Sequence, residues 1–210
     1  NHNSLSTTNS LQVTVEPIDN LNLRALGGID YYQNRNFIYR SKKNATGNDS
    51  GGGLTIVNRR NRKWITNLTG DYSFRLGEAH SVSALAGVEA QEKNTKVLRG
   101  SGSNFLNDNL RVLQAAGDRE DRDAASSDDN VTTLSVFGEV SYNYNGKFYT
   151  SLNARRDASS IFGGDVRNAN FASLGVSYVL SQERFFRDVS FLDFLKLKTS
   201  FGSTGNSRIG

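Results

Sequence analysis

The sequence predicts an all-β chain: an antiparallel, up-and-down sheet of about eight strands forming the wall of a transmembrane β-barrel. Three observations predict it. Apolar and polar residues alternate along eight segments, the period of a sheet with one oily and one wet face. The connections between the early segments alternate short and long, which places tight turns at one end of the sheet and long loops at the other. The apolar stripe of every segment lacks Lys, Asp and Glu, and its only Arg is Arg156, at a strand end. A soluble antiparallel sandwich alternates too, and it stands beside the barrel at this point.

The first strand spans roughly Leu5–Val15, with Leu5, Leu11, Val13 and Val15 in phase. Pro17, which cannot donate to a ladder, begins the turn to Asn20. The second strand sets Leu21, Leu23, Ala25, Gly27, Ile29 and Tyr31 against Asn22, Arg24, Gly28 and Asp30. Residues from about Arg40 to Arg62 read as a long polar, Gly-rich loop. The third strand sets Trp64, Leu68, Tyr72, Phe74 and Leu76 against Asn67, Thr69, Asp71, Ser73 and Arg75. Gly77-Glu78 turns into the fourth, where Val82, Ala84, Ala86, Val88 and Ala90 face away from Ser81, Ser83, Glu89 and Gln91.

A second long loop is expected from about Lys93 to Asn130. The fifth strand sets Leu134, Val136, Gly138, Val140, Tyr142 and Tyr144 against Ser135, Glu139, Ser141 and Asn143. Asn145-Gly146 is a strong hairpin signal, because both central residues of its turn need positive φ. The sixth strand has Phe148, Thr150, Leu152 and Ala154 on one face and Tyr149, Ser151, Asn153 and Arg155 on the other. It runs into a charged tip, Arg155-Arg156-Asp157-Ala158-Ser159-Ser160, closed by Phe162-Gly163. The seventh strand carries Ala172, Leu174, Val176, Tyr178 and Leu180; the aromatic connector Ser181–Phe194 leads to the eighth, with Leu195, Leu197, Thr199 and Phe201 against Lys196 and Lys198. Trp64, Tyr72, Phe74, Tyr142, Tyr144, Phe148 and Tyr178 gather near strand ends, as interfacial girdles do.

Composition narrows the function classes. Hydrophobic content of 36% and a mean hydropathy of −0.52 exclude a helical membrane protein, since no run approaches the ~18 apolar residues of a spanning helix. A barrel needs only every second residue apolar. The net charge of +4 comes from 25 basic and 21 acidic residues that are interspersed, so there is no basic footprint for nucleic acid. Without Cys there is no disulfide, thiolate metal site or thiol nucleophile. The opening Asn1-His2-Asn3 has no Met, basic region or apolar run, so the expectation is an internal stretch cut from a larger protein at both ends.

Candidate sites each have a plainer reading. Arg155-Arg156-Asp157 with Ser159-Ser160 could bind substrate, but a tip whose Arg and Asp pair locally and whose Ser residues satisfy turn amides is the simpler account. Glu89 and Glu139 could form a carboxylate pair for acid–base work; an Arg-lined, water-filled wall explains them with less. His2 and His80 are remote and lack further ligands. Asp118–Asp129 lacks the order of a calcium loop and reads as a solvated surface segment. Gly51-Gly52-Gly53 opens no helix after a buried strand, so it is no phosphate loop. No catalytic, cofactor-binding or metal-binding residue is therefore expected, and no cofactor.

Tyr142-Asn143-Tyr144-Asn145-Gly146-Lys147-Phe148-Tyr149 followed by Arg156-Asp157-Ala158-Ser159-Ser160-Ile161-Phe162-Gly163 resembles a barrel hairpin of SusC/RagA-type TonB-dependent outer-membrane transporters. Phe171-Ala172-Ser173, then Glu183 and Phe185-Phe186, is similar to that family's next strand and periplasmic connector. Leu195-Lys196-Leu197-Lys198-Thr199-Ser200-Phe201-Gly202-Ser203-Thr204-Gly205-Asn206 is similar to its following strand and loop. Ala158 stands where a Gly is usual, Ala172 where a Pro is, and Tyr178 about where a Trp is common. The resemblance covers about Leu134 to Asn206.

It implies a 22-stranded barrel in the outer membrane of a Gram-negative cell, closed by an N-terminal plug. Such a barrel imports oligosaccharides or peptides with energy from the TonB complex, under a SusD-like surface lipoprotein. Residues 1–210 would be part of the barrel domain, without plug or signal peptide. Lipid would face the apolar stripe, while Arg24, Asp30, Asp71, Glu89, Glu139, Arg155, Lys196 and Lys198 would line water or contact the plug. A charge at Val136 or Leu174 should then impair assembly, whereas one at Ser135 or Ser141 should be tolerated. The rivals are a soluble β-sandwich adhesin or carbohydrate-binding module and, less supported, an enzyme on a small barrel.

Overall fold

Eight strands follow one another in a single sheet of order β1-β2-β3-β4-β5-β6-β7-β8, so every strand pairs with its sequence neighbours and no connection crosses over. This computed structural model describes residues 1–161, 168–186 and 192–203. The strands are β1 (His2–Ile18), β2 (Leu21–Arg40), β3 (Gly53–Leu76), β4 (His80–Ser103), β5 (Arg122–Tyr144), β6 (Phe148–Ser159), β7 (Asn168–Val179) and β8 (Lys196–Gly202). The antiparallel up-and-down wall read from the sequence is what forms.

The tight turns close where the sequence places them. Asn145 and Gly146 have φ of 53° and 69°, the left-handed pair of a type I′ hairpin, and the Asn143 side chain accepts from the Gly146 amide at 2.9 Å. Asn20 (φ 66°) and Gly77 (φ 64°) serve the other two turns. Pro17 lies within β1 rather than opening the turn, on an edge strand where its missing N–H is tolerated.

The long loops are shorter than the sequence suggests. Arg40–Arg62 is not one loop, because β3 already begins at Gly53; Lys93–Asn130 likewise gives ten or so residues to β4 and nine to β5. The physical reason lies in Asn58-Arg59-Arg60-Asn61-Arg62-Lys63 and its counterparts in β4 and β5. These stretches are polar on both faces, so the period-two hydropathy signal vanishes although the ladder continues. The tip is corrected in the same way. Arg155, Arg156 and Asp157 lie inside β6, paired with Phe137, Val136 and Ser135 of β5. Phe162-Gly163 and Thr204-Gly205-Asn206 lie outside the described residues, as does the middle of the Ser181–Phe194 connector; short 3-10 turns form at Leu180–Gln182 and Arg184–Phe186.

The chain divides into two compact units. The first comprises Asn1–Asn9, Gly28–Trp64 and Glu92–Val131; the second comprises Ser10–Gly27, Ile65–Gln91 and Thr132–Gly210. In the first unit, Leu54, Phe105 and Ala116 form a small core against Phe37, Tyr39, Ile56 and Leu113, which anchors the 104–121 connection. In the second unit the burial pattern is inverted relative to a soluble domain. Leu134, Val136, Leu152 and Leu174 are about half exposed, while Ser135 on the opposite face is 1% exposed. A sandwich would cover those apolar side chains with a second sheet. A barrel wall turns them to lipid.

Candidate functional site

The polar face of the second unit carries a relay across β3, β4, β5 and β6. Alternation along each strand puts Asn67, Glu89, Ser135 and Arg155 on this face. Arg155 donates from Nη2 to Glu89 Oε1 at 3.1 Å and to Ser135 Oγ at 2.9 Å, and from Nε to Asp157 Oδ1 at 2.6 Å. Asn67 Nδ2 donates to the other Glu89 oxygen at 3.4 Å. Beneath the guanidinium lies the Phe137 ring, 5.4 Å from Cζ to centroid. A Cβ added at Gly87 would come within 2.6 Å of Phe137 Cζ and 2.8 Å of Thr69 Cγ2, so glycine leaves room for that ring.

This arrangement leaves no free base among its members. Glu89 is held by a guanidinium and an amide, and Glu139 accepts from Ser141 at 2.9 Å, so the two carboxylates have separate partners. His80 hydrogen-bonds Tyr142 Oη through Nδ1 at 2.7 Å, and His2 pairs with Asn36. Among the described residues no three His, Asp or Glu side chains gather as a metal site would require. Gly51 and Gly52 take φ of 60° and 94° in a turn beside Asn104 rather than cradling a phosphate. Of the Asp118–Asp129 run, Asp121 accepts from Asn104 at 2.8 Å within a short turn, and Asp123, Asp128 and Asp129 lie exposed on β5.

Two hollows open on the second unit. One, of about 990 Å³, includes Ser73, Arg75, Ser83, Ser141, Asn143, Ser151, Ser177 and Lys198 in its lining. Hydroxyl and amide groups donate and accept, so the surface suits polar, mostly uncharged chains. The other, of about 620 Å³, takes Phe137, Glu139, Asn153, Arg155, Phe171 and Ser173. Lys196 lies over the Tyr149 ring at 4.2 Å, and Asp71 accepts from Asn22 at 3.0 Å; Arg24 and Asp30 are exposed. Sequence reasoning named Glu89 and Arg155 separately but missed their union. Phe137, an aromatic in the polar phase of β5, was the available signal.

At the β7–β8 connection, Glu183 ties the Asn145-Gly146 hairpin down. Its Oε1 accepts from Lys147 Nζ at 3.0 Å and from Tyr178 Oη at 2.8 Å. Those two hydrogen bonds, the Lys147 one first, hold the carboxyl below its ordinary range. In the first unit, Asp108 accepts from Tyr39 Oη at 2.8 Å and Ser41 Oγ at 2.7 Å, and the bonds from Ser41 and then Tyr39 hold its carboxyl low as well.

No family model matches the sequence. Curated relatives do. TonB-dependent receptor P26 of Formosa agariphila is 27% identical over 160 residues, 76% of this chain and 16% of that protein. TonB-dependent receptor SusC of Bacteroides thetaiotaomicron is 35% identical over 79 residues, 38% of this chain and 8% of that protein. The solved RagAB peptide transporter aligns over 100% of this chain and 24% of its own, with a TM-score of 0.82 and 28% identity. In sequence and in fold the chain resembles barrel wall of the SusC/RagA type. That likeness runs through residues 1–130 as well as the C-terminal motifs. The ferric citrate transporter FecA, at 13% identity and a TM-score of 0.58, shares the fold. The chain spans about a sixth of the length of the P26 receptor.

Proposed function

We propose that residues 1–210 are part of the barrel domain of a TonB-dependent receptor that imports oligosaccharides or peptides across the outer membrane of a Gram-negative cell. The observation that carries this is the pairing of an exposed apolar face, whose one charged residue is Arg156, with a hydroxyl-, amide- and ion-rich opposite face among the described residues of the second unit. The match to SusC and to the RagAB peptide transporter supports it. The edge strands β1 and β8 would pair with further strands of the barrel. The serine-rich hollow would receive plug side chains or substrate. Other parts of the receptor would meet the TonB complex, and a SusD-like lipoprotein would cover the outer mouth. The role is carriage rather than catalysis, a reading supported by the engagement of Asp71, Glu89, Glu139 and Asp157 in ion pairs and hydrogen bonds.

Strand length fits this placement. β3 and β4 have 24 residues each. At ~3.3 Å per residue and a tilt of about 45°, such a strand rises about 55 Å, roughly twice the ~25 Å apolar band of an outer-membrane barrel. The stretches charged on both faces would therefore lie in water. The test is fractionation of cells expressing the full-length receptor, followed by growth on single glycan or peptide sources. Outer-membrane recovery and growth lost on collapse of the proton gradient are expected. Recovery in the soluble fraction without detergent would favour the sandwich and sink this reading.

A further inference from the structure

Every second residue of a strand shares a face. In β3 the phase of Leu68, Thr66 and Trp64 continues to Arg62 and Arg60; in β2 the phase of Ile29 and Tyr31 continues to Arg35. The apolar, lipid-facing stripe thus ends in aromatics and gives way to cations, about 7 Å beyond Trp64 in β3 and about 13 Å beyond Tyr31 in β2. Within the first unit these cations share one surface. Tyr31, Arg60, Arg62, Asn94 and Lys96 line a recess of about 200 Å³, and a neighbouring hollow of about 630 Å³ takes Arg35 and Asp128.

Cations outnumber carboxylates on this surface, and Glu92, in the phase of Asn94 and Lys96, is engaged by Trp64 Nε1 at 3.1 Å. Arg35, Arg60, Arg62 and Lys96 are exposed. Asp128, the one carboxylate in the linings, is already engaged by Lys96 at 2.6 Å and Asn94 at 2.8 Å. Among the described residues no carboxylate pairs with Arg35, Arg60 or Arg62. Guanidinium forks match phosphate oxygens, and basic residues just beyond an aromatic belt meet lipid headgroups rather than acyl chains. We infer that this surface is a binding site for phosphate-bearing headgroups of the outer-leaflet lipid. The site rests on the outer-membrane reading above, and it commits to membrane lipid rather than to an acidic protein.

The experiment uses the full-length receptor purified from the outer membrane in mild detergent, with bisphosphorylated lipid A as the probe and native mass spectrometry as the readout. Recovery from the outer membrane is scored first, so failure there tests the parent reading alone. In R60Q/R62Q retained lipid should fall at least about tenfold, because each basic residue near a headgroup contributes to binding. R60K/R62K, which keeps the charge but loses the fork, should lose less. Dephosphorylated lipid should bind wild type as weakly as the intact probe binds R60Q/R62Q, and inorganic phosphate should not displace the probe. The control R99Q removes a cation of the opposite phase of β4 and should leave retention unchanged. Equal retention in wild type and R60Q/R62Q, an equal loss in R99Q, or full displacement by inorganic phosphate would overturn the site.

Discussion

Arg155 of β6 reaches past β5 to Glu89 of β4, closing a 3.1 Å ion pair while also binding Ser135 and Asp157. One side chain thereby ties three strands together on the polar face. The Arg155 side chain is 37% exposed, so solvent screening limits the Glu89 pair to about 0.5–1 kcal/mol. A double-mutant cycle of Arg155→Ala and Glu89→Ala in the full-length receptor should return a coupling of that size in the denaturant midpoint of the folded gel band. Additive effects would mean that the pair contributes nothing. Arg155→Lys should not restore the coupling, because an ammonium holds its three donors on one nitrogen and cannot reproduce the spread between Nε and Nη2 that reaches these acceptors.

Gly87 sets the height of Phe137 under that guanidinium. Gly87→Ala should force the Phe137 ring aside and cost about 1–3 kcal/mol, the range for overpacking a tight contact. Adding Phe137→Leu should recover part of the loss. If Gly87→Ala alone leaves thermal stability of the folded band unchanged, the ring was never confined by the missing Cβ.

Lipid exposure of the apolar face can be graded by depth. Leu152 and Leu174 face each other across β6 and β7, whereas Val136 pairs with Arg156, whose charge marks the rim. Leu174→Lys should therefore cost ~2–4 kcal/mol and Val136→Lys, against the sequence-based expectation that either charge impairs assembly, about 0–1, read as the yield of folded receptor in the outer membrane. Ser177→Lys, on the hydroxyl-lined face, should assemble normally. Ser135 is the exception to tolerance on that face. It is 1% exposed and accepts from Arg155, so a charge there should be as damaging as one at Leu174. Equal yields for Leu174→Lys and Ser177→Lys would remove the lipid-facing assignment.

The sequence made the membrane band legible because lipid on one side and water on the other impose a period of two on Leu134–Tyr144, broken only at Phe137, and on Phe148–Ala154. It left the outer halves of β3, β4 and β5 illegible, because water on both faces imposes no period on residues such as Asn58–Lys63. The packing of Phe105 on Leu54 was hidden for a different reason: neither residue's partner is near in sequence, and both sit in Gly- and Asn-rich surroundings that read as loop. The Arg155–Glu89 pair also joins residues far apart in sequence and on strands that are not neighbours, so alternation alone could give each a face but not a partner.

Glu183 supplies the pH dependence of the hairpin end. Its carboxyl is held below the ordinary range by Lys147 and then Tyr178, so its folded pKa lies below its unfolded value of about 4.3. For a depressed carboxyl, the unfolded chain binds the proton first as pH falls. The stabilisation is thus complete above the unfolded pKa and lost progressively as pH drops through the folded one. Hydrogen exchange at the Val179 amide, which donates to the Lys147 carbonyl at 2.8 Å, and at the Lys147 amide, which donates to the Tyr144 carbonyl at 2.9 Å, should accelerate relative to the intrinsic rate below about pH 4.3 in wild type. In Glu183→Gln the same amides should exchange faster at neutral pH and show no added acid sensitivity. An acid response that persists unchanged in Glu183→Gln would assign the titration to another group.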